Sequence, residues 1–222
     1  MQERQTIAVV GGTGAEGSGL ALRLAASGHA VTIGSRSAER AETRARELNT
    51  QLGENLIAGT HNRDATAGAG ITILTVPYSA QAATVDEISD LLEGKILVDA
   101  TVPLMPPKVG VVQLPENGSA VAAVQKRLGS TVRVVSAFQN VSAHRLMELN
   151  HHIECDVLVC GDDAKACETI IGLAADMRLR GLYAGPIANS AAAEALTSLL
   201  ISINRRYKIK DSGIRITGLP ET

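Results

Sequence analysis

The chain has no tryptophan, a single phenylalanine (Phe138) and three tyrosines (Tyr78, Tyr183 and Tyr207) among 222 residues. So few rings leave no stacking platform for single-stranded nucleic acid, and the core has to be filled by alanine, valine, leucine and isoleucine. Net charge is nearly absent as well: 21 Lys and Arg face 23 Asp and Glu, for a formal −2, which offers no broad field to nucleic acid or to anionic lipid. The three cysteines, Cys155, Cys160 and Cys167, are odd in number and form no CxxC pair. They argue against a disulfide framework and for a reducing compartment. Long apolar runs are missing too. The opening MQERQTIAVV has no secretory h-region, and the most apolar later stretch, 191–203, contains Glu194 and falls short of the about 20 residues a bilayer span needs. A cytoplasmic protein is expected, with small molecules or copies of itself as partners, no nucleic acid and no membrane.

Several catalytic signatures are also missing. The positions four beyond the tyrosines hold Ala82, Ile187 and Asp211, so the YxxxK proton donor of short-chain alcohol dehydrogenases is excluded. GxSxG and HExxH do not occur. His151, His152 and Cys155 lack a fourth ligand, and no metal is expected.

What is present is alternation. Short apolar runs at 6–10, 30–34, 56–59, 71–76, 96–100 and 132–137 predict strands, and segments of helical period at 15–27, 38–52, 63–68, 80–92 and 118–128 lie between them. This pattern predicts an α/β fold, a Rossmann-type doubly wound parallel sheet in residues 1–137. Residues 138–222 predict a small C-terminal α/β domain, with strands at 156–160 and 181–184, a helix from 162 and a long helix over 187–207. That last helix has small or apolar side chains around most of its circumference and is expected to be buried on nearly all sides, inside the small domain or at a dimer interface. Thr101 to Gly118 holds four of the seven prolines (Pro103, Pro106, Pro107 and Pro115) and leaves the carboxyl end of the fifth strand. It reads as a stiffened crevice wall.

Residues 9–20, VVGGTGAEGSGL, place Gly12, Gly14 and Gly17 as GxGxxG directly after the first strand and at the opening of a helix. Gly12 permits the tight turn, Gly14 lets backbone approach a pyrophosphate, and Gly17 lets helix pack on strand. The helix N–H groups then face the phosphates. Thr13 adds a hydroxyl, while Ala15 and Glu16 contribute backbone amides. A carboxylate about 20 residues on marks NAD selectivity, but Ser35-Arg36-Ser37 stands there. A 2′-phosphate gains a cationic donor from Arg36 and a second from Arg40, with Ser37 as the helix cap. At roughly 1.5–3 kcal/mol per charge-assisted bond, discounted for exposure to about 2–4 kcal/mol in total, NADP(H) is favoured over NAD by about 30- to 1000-fold. The nicotinamide is expected over the ends of the fourth and fifth strands, against Val76 and Pro77.

With so little acid–base machinery, the site suits hydride transfer between two preoriented rings. The runs GGTGAEGSGLALRLAASGHAVTIGSRSAERAE, TVPY, VVSAFQNVSA, DVLVCGDD and AGPIANS, in that order along nearly the whole chain, resemble the NADPH-dependent reductases of the deazaflavin coenzyme F420 (F420:NADP oxidoreductases). The resemblance implies a homodimer and reversible hydride exchange between NADPH and F420 as co-substrate. It implies that Thr13, Ser35, Arg36 and Arg40 hold NADP with Val76 and Pro77 beneath the nicotinamide, and that a terminal strand at 210–217 lies near the cofactors. One position departs from the family: where archaeal members carry a histidine beside the nicotinamide, this chain has Gln139. Gln139 and Asn140 are the candidate acceptor-site residues, able to donate to a ring carbonyl but not to take up a proton. Two other readings stay open, an NADPH-dependent reductase of another small-molecule hydride acceptor (flavin, quinone, ferric complex or imine) and a non-catalytic NADP-binding sensor.

Overall fold

The computed structural model describes residues 4–219. Its first half alternates strand and helix: β1 (Thr6–Val10), α1 (Ala15–Ala26), β2 (Ala30–Ser35), α2 (Ala38–Leu52), β3 (Ile57–His61), α3 (Asn62–Ala67), β4 (Ile71–Leu74), α4 (Tyr78–Ile88), β5 (Ile96–Asp99), α5 (Ala120–Leu128) and β6 (Arg133–Ser136). There follow α6 (Ala143–Leu146), β7 (Asp156–Gly161), α7 (Ala164–Asp176), β8 (Arg180–Tyr183) and α8 (Ser190–Tyr207). Helix ends follow local chemistry. Ser37 Oγ accepts from Arg40 N to start α2, which Gly53 ends in the left-handed region at φ 78°. Ser119 and Asp163 cap α5 and α7 in the same way.

The strands form one eight-stranded sheet in the order β3-β2-β1-β4-β5-β6-β7-β8. β1 to β6 run parallel, and the order reverses between β1 and β4, which opens a crevice at their carboxyl ends. Alternate residues of each strand feed opposite cores. Ile7 and Val9 join Leu20 and Leu24 of α1 and Leu48 of α2 on one face, while Val10 and Leu74 join Val85 of α4 and Val121 of α5 on the other.

The sheet does not stop at Ala137. β7 pairs antiparallel with β6 (Val135 with Gly161, Ser136 with Cys160), and β8 extends it. A second tie crosses the same point. Arg23 of α1 is 3% exposed and its guanidinium donates to the carbonyls of Arg145, Leu146, Glu148, His151 and Met177 at 2.8–3.3 Å. His29 Nε2 also lies 3.1 Å from Asp176 Oδ2. A guanidinium has five N–H donors in a fixed fork, and here it fastens an irregular, carbonyl-rich segment onto α1, helped by Gln51 of α2, whose Nε2 donates to Met147 O at 3.0 Å.

Two expectations change. α8 buries Ala193, Glu194, Ser198 and Leu200, but its outer side leaves Leu199, Ile203 and Tyr207 exposed, so within one chain it is covered on one side only. The tail at 211–216 forms no strand. Ile214 O accepts from Asp156 N at 2.8 Å, and beyond it side chains take over from a ladder: Asp156 Oδ2 accepts from Ile216 N, and Arg180 donates to Ile216 O. Among the described residues no helix is long and apolar enough to cross a membrane.

Candidate functional site

Outside the carboxyl ends of β2, β1, β4, β5 and β6 lies a crevice of about 1240 Å³. The glycine loop forms its floor. The left-handed residue of the turn is Gly11 (φ +78°) rather than Gly12, and a Cβ there would lie 2.8 Å from Val76 Cγ1. Gly12 needs its bare Cα for another reason, since a Cβ would meet Val9 O at 2.6 Å. On Gly17 a Cβ would lie 2.4 Å from Thr75 Oγ1 and 2.7 Å from Gly12 Cα, so its packing is against the loop and the end of β4. Gly14 differs from these: its nearest neighbour would be Gly11 O at 3.5 Å, and the space a side chain would fill opens into the crevice. No side chain caps α1 at Gly14, which leaves the first-turn amides, including those of Ala15 and Glu16, available to an anion. The loop is held from behind by Ser18 Oγ, which donates to Gly12 O at 2.9 Å and accepts from Arg44 Nε at 2.8 Å. Thr13 lines the same floor.

At the β2 end stand Ser35, Arg36 and Arg40, all lining the crevice. Ser35 Oγ accepts from Ser37 N at 3.2 Å and Ser37 Oγ accepts from Arg40 N at 3.4 Å, the cap expected from sequence. Both arginines are exposed. Among the described residues neither has a carboxylate partner, so two guanidinium groups face one concavity with their charge unspent.

At the opposite end Val76 and Pro77 line the wall after β4, and the wall after β5 is the expected proline-rich segment, through Thr101, Val102, Leu104, Met105, Pro106 and Val109. Gln139 and Asn140 part company here. Gln139 lines the crevice, but its Nε2 donates to Asp99 O and to Ser136 Oγ, both at 2.8 Å. Its amino group is therefore not free to hold a ring carbonyl as expected; the atom left over is Oε1, a buried acceptor with no partner. Asn140 does not line the crevice: its Nδ2 donates to Asp156 O at 2.7 Å and to Cys155 Sγ at 3.2 Å, joining the start of β7. Between β6 and these amides sits Phe138, fully buried with φ 77°. That conformation costs a bulky residue on the order of 1–3 kcal/mol, and it turns the chain so that Gln139 and Asn140 face different elements.

Two carboxyl groups at this end and a third on the floor of the crevice carry no signature motif. Asp99 is fully buried; its Oδ1 accepts from Thr101 N at 2.9 Å and its Oδ2 from Gln81 Nε2 at 2.6 Å. Burial pushes its pKa up and those hydrogen bonds oppose the shift. Glu194 of α8, 1% exposed, accepts from Ser119 Oγ (2.6 Å), Ala120 N (2.8 Å) and Val121 N (3.2 Å) at the start of α5. Burial raises its pKa too, against the pull of those donors. Glu16 lines the crevice with its side chain as well as its amide, and is partly exposed. Desolvation, with Asp99 nearby, pushes its pKa up to about 8. The sole charge in an otherwise apolar stretch of α8 was the signal that could have pointed to Glu194; Glu16 and Asp99 gave none. Among the described residues no grouping of three or more His, Cys, Asp or Glu is placed to hold a metal.

The family profile described as NADP oxidoreductase coenzyme F420-dependent matches residues 6–103, the glycine loop through the wall after β5. Beyond that segment the likeness continues. The chain is 40% identical to the F420-dependent NADP reductase of Methanothermobacter thermautotrophicus, over 97% of this chain and 96% of that one. It is 41% identical to the F420-dependent NADP reductase of Methanocaldococcus jannaschii, over 96% and 98%. The chain belongs to the F420-dependent NADP reductase family. In three dimensions it is similar to a solved Arthrobacter sp. FB24 protein, a candidate member of the same family, with a TM-score of 0.79, 26% identity and coverage of 96% of this chain and 99% of that one. A Plasmodium falciparum pyrroline carboxylate reductase with NADP bound shares the fold at a TM-score of 0.62 and 12% identity, over 93% of this chain and 67% of that one.

Proposed function

We propose that this protein transfers a hydride, in either direction, between NADPH and the deazaflavin coenzyme F420. The observation that carries the reading is the crevice itself, in which a glycine floor open at Gly14 joins an end with two unpaired arginines to an apolar end at Val76 and Pro77. The open space at Gly14 and the unspent guanidinium charge are what a dinucleotide bearing an extra phosphate fills. When bound, NADPH supplies the hydride and the deazaflavin accepts it. The chain's own residues do the positioning. The first-turn amides of α1, with Gly12, Gly14, Gly17, Thr13, Ala15 and Glu16, hold the pyrophosphate; Ser35, Arg36 and Arg40 hold the 2′-phosphate; Val76 and Pro77 pack against the nicotinamide. Gln139 closes the acceptor end and presents an oxygen rather than an N–H. Hydride transfer between oriented rings gains most from such placement. The acceptor's identity is supported by the family relationship. Purified protein mixed with NADPH and F420 bleaches the deazaflavin chromophore, and the reverse mixture restores NADPH absorbance; a protein that binds NADPH yet bleaches only flavins, quinones, ferric complexes or imines sinks the acceptor assignment.

The same reading includes a cytoplasmic homodimer, with residues 1–137 as the NADP-binding part and 138–222 supplying acceptor-side and dimer contacts. The outer face of α8, with Leu199 48% and Tyr207 71% exposed, lies beside exposed Val111 and Val112 of the proline-rich wall, to which Ser202 Oγ donates at Gly110 O. A second copy covers this apolar patch. Light scattering reports a dimer for the native chain and a monomer for the Leu199→Glu, Ile203→Glu double variant; an unchanged mass in the variant removes this face as the interface.

A further inference from the structure

Five buried side-chain atoms among the described residues have no hydrogen-bond partner, and two of them, Gln139 Oε1 and Asn62 Oδ1, belong to residues that line the crevice. Gln139 closes the acceptor end; Asn62 lies at the other. We propose that Asn62 is the residue that selects adenine, its Oδ1 accepting from the 6-amino group of the base. The proposal rests on the NADP-binding reading above and deepens it. In that reading the phosphates have partners in the chain and the adenine has none.

Position is the first support. Asn62 opens α3 directly after β3, whose last residue, His61, is in register with Ser35 at the end of β2. A Cβ on Gly34 would meet Asn62 Cα and Asn62 Oδ1, each at 3.1 Å, so the amide oxygen lies over the end of β2, just before Ser35 and Arg36. The carboxamide is also oriented. Its Nδ2 lies 3.3 Å from Glu87 Oε2 of α4, and only the N–H end of an amide faces a carboxylate, which settles which end is which. The oxygen is the end left over. With Asn62 only 2% exposed, an acceptor so enclosed costs about 1–3 kcal/mol while unmet. A ligand N–H removes that cost.

The second support is the chemistry of this end. Facing the arginines, α4 lines the crevice with Tyr78, Ser79, Ala80 and Thr84, and the Thr84 hydroxyl is already spent on Ala80 O at 2.8 Å. A guanidinium such as that of Arg36 stacks on a planar base as well as pairing with phosphate. The adenosine half of NADPH brings two donors to this region, because its 2′-phosphate is an acceptor: the amino group of adenine and the 3′-hydroxyl of the ribose. The hydroxyl rotates and finds partners in many directions. The amino group is fixed in the plane of the base, and an oxygen locked in place by Glu87 suits a fixed donor. An asparagine amide oxygen accepting from N6 is the usual way that this side chain reads adenine. Hypoxanthine carries a carbonyl oxygen at that place and sets acceptor against acceptor.

The test reads binding rather than turnover. Nicotinamide hypoxanthine dinucleotide phosphate differs from NADP+ only at the base, and calorimetry of the native protein shows it binding about 10- to 100-fold more weakly. In Asn62→Ala the two bind within about twofold of each other, because NADP+ loses its acceptor and the analogue loses its repulsion. Asn62→Ser, whose hydroxyl both donates and accepts, levels them too. Retained preference of the variants for NADP+ over NAD+ shows that they are folded and that the 2′-phosphate is still held. Equal native affinities would hand the Asn62 oxygen to the 3′-hydroxyl or to a buried water, and a native-sized difference surviving in both variants would hand the base to another residue. Either result overturns the proposal. Failure of the F420 reading looks different: the base preference stays in place while F420 is not bleached.

Discussion

At the β2 end of the crevice, Arg36 and Arg40 are exposed with no carboxylate partner among the described residues, whereas at the β5 end Asp99, Glu194 and Gln139 are almost wholly enclosed and hydrogen-bonded within the chain. The first end keeps its charge for a ligand and does little for the fold. The second satisfies its own polar groups and thereby fixes the walls, since Glu194 ties α8 to α5 and Gln139 ties the turn after β6 to β5. Substitutions at the two ends should therefore move different observables, affinity at one and stability at the other.

The largest effect is expected at the enclosed end. Glu194→Ala leaves Ala120 N and Val121 N without their side-chain acceptor, and Ser119 Oγ with Ser190 Oγ as its remaining side-chain partner, in a site that is 1% exposed. Unpaired buried donors of this kind cost about 1–3 kcal/mol each before relaxation, and a net loss of about 3 kcal/mol is expected in urea denaturation. If the variant unfolds like the native chain, α8 and α5 are held by their apolar contacts alone and the contrast between the ends collapses. Arg36→Ala is next and of the opposite kind. The 2′-phosphate is held equally in ground and transition states, so the NADPH KM rises about 10- to 100-fold, matching about 1.5–3 kcal/mol, while kcat and stability stay put. A variant whose NADPH and NADH constants keep their native ratio breaks the assignment.

The two ends also differ in how far they could be read from sequence. The glycine loop, Ser35, Arg36 and Arg40 belong to one βαβ unit, and their chemistry follows from spacing along a single short stretch. The strands and helices were legible for the same reason, because their periodicity is local. The β5 end is assembled from α1, α4, β5, β6, α5 and α8, and its members look ordinary in sequence: Asp99 ends a strand, Gln81 sits in a helix. Arg23 is the extreme case. In LRLAASGHA it reads as a solvated helix residue, yet its acceptors lie more than 120 residues away, on carbonyls that carry no side-chain signature. Gln139, expected to donate to a ring carbonyl, instead spends its amino group within the chain, because the acceptors it satisfies, Asp99 O and Ser136 Oγ, are set by the β5–β6 register rather than by its neighbours in sequence.

Glu16 lies between the ends and sharpens the comparison through pH. Its folded pKa of about 8 is above the ordinary 4.5. Between those values the folded chain holds a proton that the unfolded chain has lost, so this group's contribution turns unfavourable as pH rises from 4.5 toward 8, and below 4.5 it vanishes. Glu16→Gln removes the penalty. With allowance for the carboxyl's partial contact with water, a gain of about 1–2 kcal/mol is expected at pH 8 and none at pH 4. Thermal melts at the two pH values decide it; equal gains at both would mean that the carboxyl is already solvated and ionised.

The smallest effect separates the two arginines. Arg40 sits in the first turn of α2, where its cation opposes the helix dipole by about 0.3–0.5 kcal/mol, and its long exposed side chain must be ordered before it can reach an anion. Arg36 is already placed by the end of β2 and the Ser35–Ser37 turn. Arg40→Ala should therefore weaken NADPH about two- to fivefold, less than Arg36→Ala, while raising stability slightly. Equal losses of affinity from the two variants would place the 2′-phosphate midway between the guanidinium groups. An Arg40 loss larger than the Arg36 loss would move the phosphate onto the helix, and the strand-end turn would then be only its support.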